Sequence, residues 1–190
     1  MSDTLYASAR DLATIPPSFD DVRAAAGRLK GLAIHTPLLE SPALNDRLGG
    51  RILMKAETLQ RTGSFKFRGA FNRISLIPEA ERAGGVVAYS SGNHAQGVAA
   101  AAALLGIPAV IVMPSDAPAM KVENTRGYGA EVVLYDRWTE SREEIGATIA
   151  EERRATLVRP YDDAGVIAGQ GTCGLEIVKQ AAARDTTLDA

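Results

Sequence analysis

Lys66 lies between two phenylalanines in the segment Gly63-Ser64-Phe65-Lys66-Phe67-Arg68-Gly69-Ala70. An ammonium group is strongly hydrated, so apolar neighbours on both sides favour an amine that loses its proton. Full burial lowers the pKa of a lysine by roughly 3–5 units, and a neutral amine can condense with an aldehyde. The segment equally fits a lysine on the first turn of an amphipathic helix, with its stem across the phenylalanines. Taken alone, the segment favours this second interpretation.

A second group of reactive side chains follows the β-prone run from Val86 to Ser90. Ser91-Gly92-Asn93-His94 comes directly after it and leads into an alanine-rich stretch that ends at Gly106. A strand, a tight turn and a helix in this order point free backbone N–H groups at an anion. The common alternative is a capped turn with Ser or Asn at the N-cap. The density of hydroxyl, amide and imidazole groups, together with Lys66, favours a binding site.

These two segments and four others resemble the fold-type II pyridoxal-phosphate enzymes, in the threonine/serine dehydratase and serine racemase branch. The similarity runs from about Thr36 to about Lys179, and the motifs follow the order seen in the family. The matching residues are Lys55-Ala56-Glu57 with Gln60, Gly63–Ala70, Ser90–Gly97, Ile111–Pro114 with Ala117-Pro118, Gly129–Val132, and Tyr161–Asp163 with Val166–Thr172.

The resemblance implies a role for each candidate residue. Lys66 matches the lysine that forms a Schiff base with pyridoxal 5'-phosphate, which serves as an electron sink for the substrate α-carbon. Phe65 matches the residue that lies against the cofactor ring, and Asn93 the residue that hydrogen-bonds its hydroxyl group. Ser91, Gly92, Asn93 and His94 match the turn that binds the substrate carboxylate.

The implied reaction is the dehydration and deamination of L-threonine or L-serine to a 2-oxo acid and ammonia, with Lys66 removing the α-proton. In serine racemases of the family, the residue that matches Ser91 is an acid/base on the opposite face, so racemisation is an alternative. Arg142 matches an arginine that approaches a second substrate carboxylate, which would permit 3-hydroxyaspartate. An exposed arginine on a charged helix also explains Arg142, and a structural cap also explains His94.

A competing motif occurs late in the chain. Gly169-Gln170-Gly171-Thr172-Cys173-Gly174 has the spacing G-x-G-x-x-G, and Asp189 follows 20 residues after Gly169. This combination is the fingerprint of a dinucleotide site and would make the protein an NAD-binding oxidoreductase. Only Val166-Ile167-Ala168 precedes it, which is short for the required strand, so we expect a closely packed helix start instead.

Composition excludes several classes of protein. The net charge is −2 with scattered Lys and Arg, so the chain lacks the basic face of a nucleic-acid-binding protein. Its apolar runs are too short for a membrane span. The single cysteine, Cys173, precludes an internal disulfide and favours a reducing cytoplasm. With two histidines and one cysteine, no zinc-ligand spacing is present, and we predict no metal site.

Alternating strands and helices predict an α/β fold in which parallel sheets are flanked by helices. The resemblance implies a tryptophan synthase β-like arrangement that stops before the second half of its large domain. We expect a mobile leader over 1–17, large-domain segments over 18–57 and 156–190, and a small domain over 58–155. The predicted strands are Arg51–Lys55, Val86–Ser90, Ala109–Met113, Glu131–Tyr135 and Thr156–Arg159, and the predicted helices include Lys66–Leu76, Ala95–Leu105, Ala119–Tyr128 and Ser141–Arg153.

In the family, a glycine-rich loop that binds the cofactor phosphate lies beyond the position of Ala190. We therefore expect the 190 residues alone to bind cofactor weakly and to have little activity, and the full-length enzyme to be a homo-oligomer. An inactive fragment that keeps only its folding or partner-binding capacity is the remaining alternative.

Overall fold

The computed structural model describes residues 16–189, so most of the predicted leader lies outside the described residues. The observed elements agree with the predicted ones to within two residues. The helices are α1 (Phe19–Leu29), α2 (Pro42–Leu48), α3 (Lys66–Ser75), α4 (Asn93–Leu105), α5 (Ala119–Gly127), α6 (Arg142–Arg153) and α7 (Ala164–Ala182). The strands are β1 (Leu38–Glu40), β2 (Leu53–Lys55), β3 (Val86–Tyr89), β4 (Ala109–Pro114), β5 (Glu131–Tyr135) and β6 (Thr156–Leu157).

The central sheet has the strand order β5-β4-β3-β6, and every neighbouring pair is parallel. This confirms the predicted parallel α/β fold. Thr156 and Leu157 pair with Val86 and Val87, so they complete this sheet although the predicted small domain ends at residue 155. The division into domains stays a prediction. Strands β1 and β2 form a separate antiparallel pair.

The two faces of the sheet are buried by different helices, because successive side chains of a strand point to opposite faces. Ala88, Ile111 and Met113 join the main core with residues of α3 and α4. Val87, Val110 and Val112 pack on the other face against α6, where Ile145 and Ile149 turn inward as predicted. Both faces being covered explains why these strands are almost continuously apolar.

Helix α3 carries Lys66 at its first position and is buried on nearly every side. Phe67, Ala70, Phe71 and Ile74 form the predicted apolar face and are fully or almost fully buried. The opposite side is buried as well, since Arg68, Asn72 and Arg73 are each no more than 2% exposed. Hydrophobic periodicity alone did not predict the burial of these polar residues.

Local capping fixes where the helices begin. Ser18 and Asp21 form the predicted capping box at α1, with both reciprocal hydrogen bonds present. At α6 only the Ser141 half of the predicted box forms, as its hydroxyl accepts from the Glu144 N–H at 3.2 Å. Asp163 caps α7 by accepting from the Val166 N–H at 2.9 Å.

The G-x-G-x-x-G motif lies in the interior of α7, which begins five residues earlier at Ala164. A dinucleotide site requires these glycines in the turn between a strand and a helix. Both the NAD-binding alternative and the predicted helix start at Gly169 are therefore wrong. The motif instead serves packing: a Cβ on Gly169 would lie 2.5 Å from the Arg68 carbonyl oxygen and 2.7 Å from the Gly69 Cα.

Gly169→Ala is expected to destabilise the protein by about 1–3 kcal/mol, because α3 and α7 must separate to admit a methyl group. Gly174→Ala is the matched control, since it lies in the same helix and a Cβ there would have no atom within 4 Å. That variant should gain up to about 1 kcal/mol through helix propensity. Urea unfolding measures both free energies, and equal effects would contradict the packing role of Gly169.

Candidate active site

The side chain of Lys66 is held at the edge of the sheet where the parallel strands end. Its Nζ donates a hydrogen bond of 2.9 Å to the Pro160 carbonyl oxygen, which lies 94 residues further along the chain. The same nitrogen is 5.4 Å from the centroid of the Phe65 ring. In the described part of the chain, Lys66 forms no ion pair with a carboxylate.

Burial lowers the pKa of Lys66, because the loss of solvent disfavours its charged form. The flanking phenylalanines contribute unequally to this environment: Phe67 is fully buried in the core, whereas Phe65 is 42% exposed. A half-buried amine without a counter-ion is easier to deprotonate than a surface lysine. This geometry favours the reactive-amine interpretation over a lysine whose ammonium group remains in solvent.

The polar turn lies beside the first turn of α3. Gly92 is the N-cap of α4, and its N–H donates to the Ser90 hydroxyl at 3.2 Å. A Cβ on Gly97, one turn into α4, would lie only 3.1 Å from the Lys66 carbonyl carbon. This close helix–helix approach puts the N–H groups at the start of α4 next to Lys66, as expected for residues that share a site.

The predicted site residues differ in their exposure. Ser91 and Asn93 are exposed on the turn, so their hydroxyl and amide groups are accessible. Phe65 has an accessible ring beside the amine, and Arg142 begins α6 with its guanidinium 5.3 Å above the ring of Tyr89. Since Tyr89 ends β3, just before the turn, Arg142 lies at the same edge of the sheet.

His94 differs from its neighbours because its ring points into the protein interior. It is only 3% exposed, and its Nε2 lies 3.0 Å from the Val158 carbonyl oxygen, which it can bond only as a donor. Burial lowers the pKa of His94 to about 4, so the ring is neutral at pH 7. The imidazole therefore fixes the segment after β6, and only its backbone N–H is oriented with the rest of the turn.

His94 is expected to make stability depend on pH. Its pKa is about 4 in the folded protein and 6.5 for the unperturbed group, so the unfolded chain binds more protons between these values. Stability is complete above about pH 6.5 and should fall by roughly 3 kcal/mol as the pH drops to about 4, at about 1.4 kcal/mol per pKa unit. Unfolding free energies measured across this range test the expectation.

His94→Gln keeps a hydrogen-bond donor for Val158 but cannot titrate, and it should remove this pH dependence. The matched control is His35→Gln, because the chain has two histidines and His35 is exposed. The pH dependence should survive in that variant. The reverse pattern would show that His94 is not the residue that titrates.

A buried charge network supports the start of α3 from below. Arg68 donates to both oxygens of Glu57 at 2.8 Å and to both oxygens of Glu176 at 2.7 and 3.0 Å. Lys55 completes the network through a 2.6 Å contact with Glu176. Burial raises the pKa of each carboxyl, but the hydrogen bonds from Arg68 outweigh it, and the pKa of both is lowered.

Sequence reasoning did not identify two groups beside the site. The Pro160 carbonyl could not be foreseen as the acceptor for Lys66, because the contact is formed only by the tertiary fold. Lys121 lies near the turn, with its Nζ 3.6 Å from the position of a Cβ on Gly92. The only sequence signal for it was its position just after the Ala117-Pro118 motif.

Other chemistries find no support in the described residues. Between residues 16 and 189, no group of His, Cys, Asp and Glu side chains is arranged to hold a metal ion. Cys173 is half-buried, and burial raises the pKa of its thiol, which disfavours the reactive thiolate. Within the same residues, no helix has the length and hydrophobicity needed to cross a membrane.

Comparison with known proteins agrees with this geometry. A family model described as pyridoxal-phosphate dependent enzyme matches residues 29–189. The L-threo-3-hydroxyaspartate ammonia-lyase of Pseudomonas sp is 57% identical over 162 residues, covering 85% of this chain and 51% of that protein. The enzyme of the same name from Saccharomyces cerevisiae is 51% identical over 166 residues, covering 87% of this chain and 51% of the relative.

Solved structures give the same result. Maize serine racemase superposes with a TM-score of 0.85 at 40% identity, covering 88% of this chain and 51% of its own. The threonine deaminase of T.th. superposes with a TM-score of 0.82 at 47% identity, covering 90% of this chain and 54% of its own. The chain thus spans about half the length of the relatives it matches.

Proposed function

The chain belongs to the pyridoxal-phosphate dependent enzyme family, and from this membership we propose that it serves β-elimination from a 3-hydroxy amino acid, giving a 2-oxo acid and ammonia. L-Threonine and L-serine are the first candidate substrates, and 3-hydroxyaspartate is supported by the names of two similar relatives. The observation that carries the proposal is the half-buried amine of Lys66, which faces a backbone carbonyl instead of a carboxylate.

The residues at the site fit a pyridoxal phosphate cofactor. Its aldehyde requires an amine that is readily deprotonated, and burial lowers the pKa of Lys66. Its flat ring requires an apolar surface, and Phe65 offers an exposed ring 5.4 Å from the same amine. We propose that Lys66 holds the cofactor covalently, that Phe65 lies against it, and that the Asn93 amide donates a hydrogen bond to its hydroxyl group.

The chain's own groups would divide the remaining work. The N–H groups at the start of α4 and the Ser91 hydroxyl would bind the substrate carboxylate, since a helix N-terminus attracts an anion. Pyridoxal phosphate, when bound, supplies an electron sink for the negative charge that develops at the substrate α-carbon. Lys66 would take the α-proton on its Nζ, and the Pro160 carbonyl would orient that nitrogen by accepting its hydrogen bond.

Two measurements on the intact protein test this proposal. Addition of pyridoxal phosphate should give visible absorbance that persists through gel filtration, because the cofactor is covalently held. L-Threonine or L-serine should then release 2-oxobutanoate or pyruvate together with ammonia. A protein that neither retains the cofactor nor forms a 2-oxo acid from threonine, serine or 3-hydroxyaspartate would refute the proposed function.

Serine racemisation is a second candidate, and the exposure of Ser91 favours it. A racemase needs a second acid/base opposite Lys66, and the accessible Ser91 hydroxyl is available for that role on the turn. The similarity to maize serine racemase supports this candidate as well. Formation of D-serine from L-serine, measured beside pyruvate release, distinguishes the two reactions.

We also propose a cytoplasmic location and a homo-oligomeric assembly for the intact protein. The location is supported by Cys173 being the single cysteine of the chain, as expected in a reducing compartment. The assembly is supported by the family resemblance alone. A small-molecule amino acid is the proposed partner at the active site.

A further inference from the structure

A cavity of about 330 Å³ opens at the edge of the sheet where the parallel strands end. Ligand pockets begin at about 300 Å³, so the cavity suits a molecule of amino-acid size. Ligands of open parallel sheets bind at this edge. The cavity is lined by the strand-end residues Tyr89 and Leu157, by Glu143 and Ala147 of α6, and by Arg159, Pro160, Tyr161 and Asp162.

The cavity is contiguous with the reactive amine. Pro160 forms part of its lining, and the carbonyl oxygen of this residue accepts the 2.9 Å hydrogen bond from the Lys66 Nζ. A ligand bound in the cavity would therefore have one end beside Lys66 and the other beside Arg159 and Tyr161. This arrangement suits a substrate whose side chain extends away from the reacting α-carbon.

Two arginines lie at the cavity, and only one of them is free to bind an anion. The Nε of Arg142 donates to the Glu143 carboxylate at 2.8 Å, and its guanidinium covers the Tyr89 ring. Arg159 is exposed and, in the described part of the chain, forms no ion pair or side-chain hydrogen bond. An arginine without a partner binds a carboxylate through two parallel hydrogen bonds.

The acidic groups of the lining affect this comparison in different ways. Glu143 already has Arg142 as its counter-ion. Asp162 is exposed and, within residues 16–189, has no ion-pair partner, so it would repel an anionic ligand at neutral pH. Arg159 and Asp162 thus act in opposite directions on the same ligand charge.

We propose that Arg159 binds a carboxylate on the side chain of the substrate, and that the preferred substrate is therefore a dicarboxylic 3-hydroxy amino acid. This inference rests on the proposed β-elimination function and assigns the recognition to Arg159 instead of Arg142. A methyl group in place of the carboxylate, as in threonine, would leave Arg159 without a ligand. The rest of the substrate would be bound as before by the turn at the start of α4.

Arg159→Gln tests the assignment in the intact protein loaded with cofactor. For L-threo-3-hydroxyaspartate, kcat/KM should fall by about 10–100-fold, the effect of losing a hydrogen-bonded charge pair. For L-threonine it should change by less than about threefold, since its side chain makes no use of the guanidinium. Retained threonine activity also shows that the variant is folded.

Arg154→Gln is the matched control because it removes the same charge at the opposite end of β6, and it should leave both substrates unaffected. Asp162→Asn should raise kcat/KM for the dicarboxylic substrate, and an unchanged or lower value would count against the inference. Equal effects of Arg159→Gln on both substrates, or a selective loss only in Arg142→Gln, would overturn it. If the unmodified protein acts on neither substrate, the proposed function itself fails.

Discussion

Lys66→Ala should abolish covalent binding of pyridoxal phosphate and reduce 2-oxo acid formation by at least about a thousandfold. The substitution removes both the amine that holds the cofactor and the base that accepts the α-proton, and a single acid/base group contributes about 10²–10⁴-fold. The visible absorbance should disappear after gel filtration. Single-turnover assays with saturating cofactor would then measure the remaining rate.

Lys30→Ala provides the comparison for this variant, because Lys30 is exposed at the end of α1 and far from the site in the fold. It should retain the absorbance and the activity of the unmodified protein. Lys66→Arg keeps a positive charge but stays protonated, so it should be as inactive as Lys66→Ala. Persistent colour and turnover in Lys66→Ala would assign the cofactor to another amine.

Arg68→Met is expected to destabilise the folded protein by about 3–5 kcal/mol at pH 7. Methionine occupies a similar volume but leaves the carboxylates of Glu57 and Glu176 buried together without their main counter-ion. Chemical unfolding measures the loss of free energy. The effect should diminish as the pH falls toward about 4, because protonation of the two carboxyls relieves their repulsion.

Arg153→Met is the matched control for the effect of burial. Arg153 makes an equivalent two-bond contact with Glu131, at 2.7 and 3.0 Å, but both side chains are about half exposed. Exposed ion pairs contribute about 0–1 kcal/mol, so this variant should remain nearly as stable as the unmodified protein. If both variants lose the same free energy, the network around Arg68 has no special role.

Neighbouring polar groups explain why α3 can hold Lys66 in a fixed position. Arg73 pairs with Asp163 at 2.6 Å, and the Asn72 amide donates to the Gly165 carbonyl oxygen at 2.7 Å. Both contacts join α3 to the start of α7, which follows the Pro160 segment. The helix that carries the amine and the segment that accepts its hydrogen bond are therefore parts of one buried assembly.

The sequence by itself determined the order of strands and helices and the two segments of the candidate site. Alternation of β-prone runs with helical periodicity predicted β3 to β6 and the helices between them. The phenylalanines around Lys66 and the polar turn from Ser91 to His94 were recognisable because they are contiguous in the chain. Such signals depend on backbone preferences and periodicity over a few residues, which sequence patterns record directly.

The tertiary structure alone decided how these segments meet. It turned the His94 ring toward Val158, buried Arg68 between two carboxylates, and placed Gly169 in a helix interior instead of a cofactor turn. It also brought the Pro160 carbonyl to Lys66 across 94 residues. These outcomes depend on which polar groups find partners once the helices pack, and local periodicity carries no information about partners so distant in the chain.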